Sequence, residues 1–116
     1  MPYSTPSDVR MIIETTLTDD EIAEIIEMSD AEIDRRIGPQ DSSDPLIKRL
    51  SMLLTALTIK TRQPETRVIG EYRESSGNIL EVLRSEIERI FRLYKSVSIK
   101  ASEYQHIDEE SRYKEA

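Results

Sequence analysis

Apolar residues recur at every third or fourth position in several stretches of the chain, and this spacing predicts amphipathic helices. The most sharply bounded stretch begins at Thr18-Asp-Asp-Glu21, a capping box with acids in the first turn, and ends at Gly38, which Pro39 follows. Its inner stripe comprises Ile22, Ile25, Ile26, Ser29, Ile33 and Ile37. The sequence therefore predicts one long helix from about residue 19 to residue 37.

Three further helices follow from the same signals. Thr5-Pro-Ser-Asp8 predicts a short N-terminal helix that ends near Thr15 or Thr16, because a hydroxyl cap precedes proline and an acid. Asp44-Pro45 begins a nearly all-apolar helix that is expected to end near Thr61 and to lie between the others. A last helix starts near Gly77 or Asn78. Its apolar positions are Ile79, Leu83, Ile87, Ile90, Phe91 and Tyr94.

Two stretches lack a helical pattern. Residues 62–77 contain Pro64, Gly70 and Gly77 and some β-type composition, which predicts a protruding, partly extended loop. Residues 96–116 are sparse in apolar side chains, which predicts a flexible polar tail. The expected fold is therefore all-α: a small four-helix bundle over residues 1–95, with a long irregular loop before the last helix and a C-terminal tail over residues 96–116. We expect both irregular segments to exchange amide protons quickly in an isolated subunit.

The core of this bundle is expected to form around the third helix. Its leucines at 50, 54 and 57 should be buried beneath apolar side chains of the second and fourth helices, because these stripes have no other way to leave water. The partners expected for them are Ile22, Ile26, Ile33, Ile87 and Phe91.

The formal net charge of −7 is unevenly distributed. Residues 1–43 carry 3 basic and 11 acidic side chains, residues 44–100 carry 11 basic and 7 acidic ones, and residues 101–116 carry 2 basic and 5 acidic ones. The acidic ends either fold back onto the basic centre of the same chain or meet the basic centre of a neighbouring copy. The overall charge argues against phosphate binding as the main activity.

The residues offer no catalytic machinery. Cysteine is absent, and His106, the single histidine, falls in the predicted tail, so neither a nucleophile–base pair nor a zinc site is expected. Asp30, Glu32 and Asp34 resemble the start of a calcium loop, but Arg35 occupies the position that requires glycine. We expect a solvated acidic helix face, no cofactor, no metal and no enzymatic activity.

The residues also argue against a membrane or secreted protein and against a helix-turn-helix DNA-binding protein. No apolar run approaches the roughly 20 residues of a membrane-spanning helix, and the N-terminus lacks a signal peptide pattern, so an intracellular protein without a membrane partner is expected. A helix-turn-helix would need a turn of about three or four residues, whereas residues 38–43 are longer. The basic residues of the last helix are either a phosphate-binding patch or a solvated face: Arg84, Arg89, Arg92 and Lys95.

The order of these elements resembles the head–tail connector, or head completion adaptor, proteins of tailed double-stranded DNA viruses. The resemblance covers residue 3 to about residue 95. It rests on the following stretches: Tyr3-Ser-Thr-Pro-Ser-Asp-Val-Arg, Leu17-Thr-Asp-Asp-Glu-Ile-Ala-Glu-Ile-Ile, Ile33-Asp-Arg-Arg-Ile-Gly38, the apolar third helix, Ile69-Gly-Glu-Tyr72 and Phe91-Arg-Leu-Tyr94.

The resemblance implies a non-enzymatic virion protein, made in the host cytoplasm and located at the head–tail junction. It implies a homo-oligomeric ring, dodecameric in this family, that binds the portal protein on one side and a tail-side or stopper protein on the other. Genomic DNA would pass through the lumen without sequence-specific binding. The alternatives that the residues leave open are a small intracellular helical protein-binding module and a DNA-binding regulator.

Under the connector hypothesis, subunit and partner contacts are expected in the loop, on the last helix and in the tail. The loop is expected to reach toward a neighbour or the DNA channel, and the aromatic residues of the tail are expected to act as anchors. The candidate interface residues are Arg62, Arg67, Ile69, Gly70, Glu71, Tyr72, Arg73, Arg84, Arg92, Tyr104, Ile107 and Tyr113.

Overall fold

Four helices and one small antiparallel sheet make up the described part of the chain. The computed structural model describes residues 2–69 and 79–106, with residues 96–106 described by their backbone alone. In chain order the elements are α1 (Pro6–Arg10), β1 (Ile13–Glu14), α2 (Asp19–Ile37), α3 (Pro45–Arg62), β2 (Arg67–Val68) and α4 (Ile79–His106). The expected all-α helical class is confirmed.

The caps read from the sequence set the helix boundaries. Thr18 accepts the Glu21 backbone N–H while the Glu21 carboxylate accepts the Thr18 N–H, so two free donors at the start of α2 are satisfied. Thr5 and Asp8 form the same capping box at α1. Gly38 ends α2 with a φ of 83°, a value at which a side chain would be strained.

Helix α3 is the central element, because it packs against both α2 and α4. It runs antiparallel to each of them. Ser51 of α3 donates to Asp30 of α2, and Thr55, one turn later on α3, donates to Ser29. Residue numbers therefore increase along α3 in the direction in which they decrease along α2. On the α4 side, Asp44 lies opposite Tyr94, and Arg49 lies 3.5 Å from Glu86.

The hydrophobic core fills the space around α3. Side chains from every described helix and from both strands are buried in it, and the largest of them are fully enclosed: Phe91, Ile13, Ile22, Ile26, Ile33, Ile47, Leu50, Leu53, Ile59, Leu83 and Ile90. The expected burial of Leu50 is confirmed, but Leu54 and Leu57 are only half-buried. The antiparallel register places these two level with the first turns of α4, where Ile79 and Val82 are also half-buried.

The two short strands lie where the sequence predicts other structure: β1 in the last part of the predicted first helix, and β2 in the predicted loop. Helix α1 ends at Arg10, five residues before the expected end at Thr15, because the β-branched stretch that follows favours extended backbone. Ile13 pairs with Val68, and the Ile69 N–H donates to the carbonyl of Ile12 at 2.9 Å. The first part of the expected protruding loop, residues 62–69, is therefore attached to the core.

Helix α4 continues beyond the expected end of the domain. The predicted tail begins at residue 96, whereas the helix extends to His106. No glycine or proline interrupts residues 79–106, and Val97, Ala101 and Tyr104 continue the spacing of Ile90 and Tyr94. The expected boundary between domain and tail thus falls inside α4. Residues 70–78 and 107–116 of the predicted loop and tail lie outside the described residues.

The half-buried position of Leu54 changes the test of the core. We expect Leu50→Ala to lower the free energy of unfolding by about 2–5 kcal/mol, because a fully enclosed side chain leaves a cavity. Leu54→Ala should cost less, and Leu93→Ala, at a side chain that is 46% exposed, should change stability by about 0.5 kcal/mol or less. Urea denaturation of the three variants checks this order, and an effect of Leu50→Ala as small as that of Leu93→Ala would contradict the central place of α3.

Candidate functional site

The carboxylate of Asp30 joins the N-terminal segment, α2 and α3. The backbone N–H of Tyr3 donates to Asp30 Oδ2 at 2.8 Å, and the Ser51 hydroxyl donates to Oδ1 at 2.6 Å. The hydroxyls of Ser4 and Ser51 lie 2.7 Å apart. A single side chain on α2 therefore holds the start of the chain against the middle of the bundle.

The phenol of Tyr3 makes a second attachment to α2. Its hydroxyl donates to Asp34 and accepts the backbone N–H of Gln40 at 2.9 Å. Burial, with the hydrogen bond to Asp34 as the next cause, raises the pKa of Tyr3 above 10.0. Because the ring is buried and the hydroxyl both donates and accepts a hydrogen bond, Tyr3 holds the segment that precedes α1 over the C-terminal half of α2.

Small polar side chains on α3 make this arrangement possible. Ser51 and Thr55 are fully buried one turn apart, and the Thr55 hydroxyl donates to Ser29 Oγ at 3.0 Å. A leucine at position 51 would remove the Ser51 hydrogen bond to Asp30 and the hydrogen bond to the Ser4 hydroxyl, and polar groups that lose hydrogen bonds at buried sites are costly. These hydroxyls form a polar seam between α2 and α3.

Partial burial raises the pKa of Asp30 above its ordinary value of 3.8, and the hydrogen bonds from Ser51 and Tyr3 partly oppose that rise. The expected solvated acidic face is therefore wrong for Asp30, which is half-buried, whereas Asp34 is exposed. The signal that could have revealed this was present: Ser29, Ser51 and Thr55 fall on otherwise apolar helix faces and call for a polar partner nearby.

A groove of about 640 Å³ runs between the attached N-terminal segment and the outer face of α2. Pro2 and Pro6 contribute to one wall, and Ala23 and Ala31 lie exposed on the α2 side. Glu24 and Glu27 add negative charge along it. We call this surface the acidic groove.

Two carboxylates of the acidic groove are exposed, those of Glu24 and Glu27. In the described part of the chain, Glu24 and Glu27 form no ion pair. Among the same residues, no group of three or more histidine, cysteine, aspartate or glutamate side chains is arranged to hold a metal ion. Carboxylates beside small apolar side chains suit cationic groups carried on a flat or convex partner.

Helix α4 carries a surface of opposite charge. Arg84, Arg92 and Lys95 are exposed on one side of the helix, and over residues 2–69 and 79–95 none of the three forms an ion pair. We call these three residues the basic face. Glu88 lies within it and pairs with Arg36 at 3.0 Å. The hydrogen bond from Arg36 lowers the pKa of Glu88, and the charges of Arg92 and Lys95 lower it further.

Arg36 also connects α2 to α4 through the core. Its guanidinium lies 3.8 Å from the centre of the buried Phe91 ring while it pairs with Glu88. The acidic helix and the basic helix are thus fixed relative to each other at this point, with the acidic groove and the basic face both turned away from the core.

The candidate interface residues do not form one cluster. Arg62 and Arg67 are exposed near the end of α3, with Arg67 4.0 Å from Glu14, and Ile69 is half-buried beside β1. Arg84 and Arg92 belong to the basic face, and Tyr104 lies on α4. Gly70, Glu71, Tyr72, Arg73, Ile107 and Tyr113 lie outside the described residues.

The comparisons with known proteins add no relative. No protein-family model, no curated protein and no solved structure matches the chain. Within residues 2–69 and 79–106, no helix combines the length and the apolar character that a membrane crossing requires.

Removing the Asp30 carboxylate tests the polar network. We expect Asp30→Ala to lower the free energy of unfolding by about 1–3 kcal/mol, because the Tyr3 N–H and the Ser51 hydroxyl lose their acceptor. Asp30→Asn should cost less, since its oxygen accepts from Tyr3 while its NH₂ donates to Ser51. Glu27→Gln, an exposed carboxylate on the same helix, is the control and should change stability by about 0.5 kcal/mol or less.

The raised pKa of Asp30 gives a pH dependence of defined sign. The fold favours the protonated carboxyl, so the stability that this group contributes is full below pH 3.8 and is lost as the pH rises through its higher folded-state pKa. Asparagine does not titrate. The stability of Asp30→Asn should therefore improve relative to the wild type as the pH rises above 3.8 and through the higher folded-state pKa of Asp30. A difference that stays constant over this range, measured by urea denaturation, would contradict the raised pKa.

Proposed function

We propose that this protein is a structural subunit of a virion, a head–tail connector that forms a ring beneath the portal and joins the DNA-filled head to the tail. The resemblance of residues 3 to 95 to that family suggests the function. The observation that supports it most is the separation of charge on the surface, with an acidic groove on α2 and a basic face on α4. A ring requires two different surfaces that complement each other.

The arrangement of the bundle suits such a subunit. Arg36 and the core fix α2 and α4 relative to each other, so the direction from the acidic groove to the basic face is constant from copy to copy. A constant direction gives every subunit the same rotation to the next one, and a repeated rotation can close into a ring. The portal protein and a tail-side or stopper protein are the proposed partners.

The proposed ring leaves room for DNA without requiring its recognition. With a net charge of −7, the subunit as a whole repels the phosphates of DNA. Basic residues that pair with carboxylates of a neighbour are also no longer free to hold DNA. Genomic DNA would then pass through the lumen without contacts to its base edges, which are the contacts that read a sequence.

Self-assembly of the purified chain tests the proposal. We expect light scattering to show a mass that grows with concentration and negative-stain images to show rings at about 0.1 M salt. Assembly should weaken at about 1 M salt, where the Debye length falls from about 10 Å to about 3 Å. A strict monomer at every concentration, with and without portal protein, would contradict it. A monomer that binds duplex DNA in a salt-dependent manner would instead favour a DNA-binding regulator.

A further inference from the structure

We infer that the acidic groove is the docking site for α4 of a second copy of this chain, which enters with its basic face. The inference rests on the proposed function, because it names the contact by which one subunit would hold the next. It also has an independent basis in the opposite charges of the two surfaces. Among the described residues, no ion pair is formed by Glu24 or Glu27 of the groove or by the three cations of the basic face.

The groove has the shape that a helix needs. Ala23, Glu27 and Ala31 follow each other at intervals of four residues along α2, so they form a single row on its surface. Packed helices approach to about 8–10 Å between axes, and the closest approaches need small side chains at the contact. The two alanines leave hollows on either side of Glu27, and the proline-containing N-terminal segment borders the row on one side.

The charges match in spacing as well as in sign. Glu24 and Asp34, both in the groove, are separated along α2 by about 15 Å, from ten residues at 1.5 Å each. On α4, the distance from Arg84 to Lys95 along the axis is about 16 Å on the same basis. A helix lying along the groove can therefore place its cations over carboxylates from one end to the other.

Opposite charge decides the occupant in favour of a second copy. A nucleic acid would bind the basic face, but the carboxylates of the acidic groove would repel its phosphates and the groove would stay empty. An unrelated basic protein would fill the groove but would leave the basic face without a partner. Association of like copies neutralises both surfaces at once, and because they lie on different helices the contact is heterologous.

The Asp30 network preorganises this site. Tyr3 and Ser4 hold the N-terminal segment through Asp30 and Ser51, so the wall of the groove exists before a partner arrives. A preformed wall lowers the ordering cost of association.

Thiol crosslinking tests the contact on the full chain, which has no cysteine of its own. Ala31→Cys places a thiol in the groove, and Ser85→Cys places one on exposed α4 between Arg84 and Arg92. A mixture of A31C and S85C chains, treated with a short bis-maleimide, should give a covalent A31C–S85C pair. Glu65→Cys, at an exposed position between α3 and β2, is the matched control and should not crosslink to S85C above background.

Charge reversal in the same assay identifies the groove more closely. Adding Glu27→Arg to the A31C chain should slow crosslinking about tenfold or more, since like charges then meet. Adding Arg84→Glu to the S85C chain should restore it. Glu65→Arg in the A31C chain changes the net charge equally and should leave the rate unchanged. Circular dichroism confirms that each variant is folded before its rate is used.

The outcomes separate this contact from the proposed ring. Equal crosslinking of A31C and E65C chains, or no slowing by Glu27→Arg, overturns the docking site. Rings without the A31C–S85C crosslink overturn the docking site alone and leave the connector proposal standing. A specific, charge-reversible crosslink in particles that never exceed a dimer supports the docking site and overturns the ring. Duplex DNA binding that Arg84→Glu abolishes, with crosslinking unaffected, assigns the basic face to DNA and overturns the inference.

Discussion

The need to satisfy one partly buried carboxylate organises much of this small protein. Asp30 lies where the N-terminal segment, α2 and α3 meet, and its two oxygens accept hydrogen bonds from the other two segments. An aspartate left unpaired there would be costly, so the backbone of Tyr3 and the hydroxyl of Ser51 have to be present together. Satisfying that carboxylate also explains why the buried hydroxyl of Ser51 interrupts the otherwise apolar inner face of α3.

The same constraint shapes the acidic surface of α2. Asp30 and Asp34 are engaged by the N-terminal segment, whereas Glu24 and Glu27 on the same helix are left free of ion pairs within the described chain. The N-terminal segment that binds Asp30 and Asp34 also forms the wall of the groove beside Glu24 and Glu27. An internal polar network and an external acidic groove are therefore consequences of a single arrangement. Across the bundle, Arg36 neutralises Glu88 and leaves the rest of the α4 face positive.

The helices could be predicted because their caps act locally. The contacts between distant residues could not be predicted from the sequence. The capping boxes at Thr5 and Thr18 and the glycine at 38 act within a few residues, so their effect can be read from the chain alone. Pairing of Ile13 with Val68 depends on residues 55 positions apart, and no turn signal specifies it. The role of Asp30 could not be assigned for the same reason: its partners are 27 and 21 residues away. The basic residues of α4 could be named from charge and spacing, whereas the groove depends on the folded N-terminal segment.

Electron cryomicroscopy of the particles that the purified full chain forms at low salt would show directly whether the acidic groove is a contact between subunits. We expect a closed ring in which α4 of each subunit lies in the acidic groove of the next, with Arg84 and Lys95 over the carboxylates of α2. A ring in which this groove faces solvent, or a sample that contains only monomers, would contradict it.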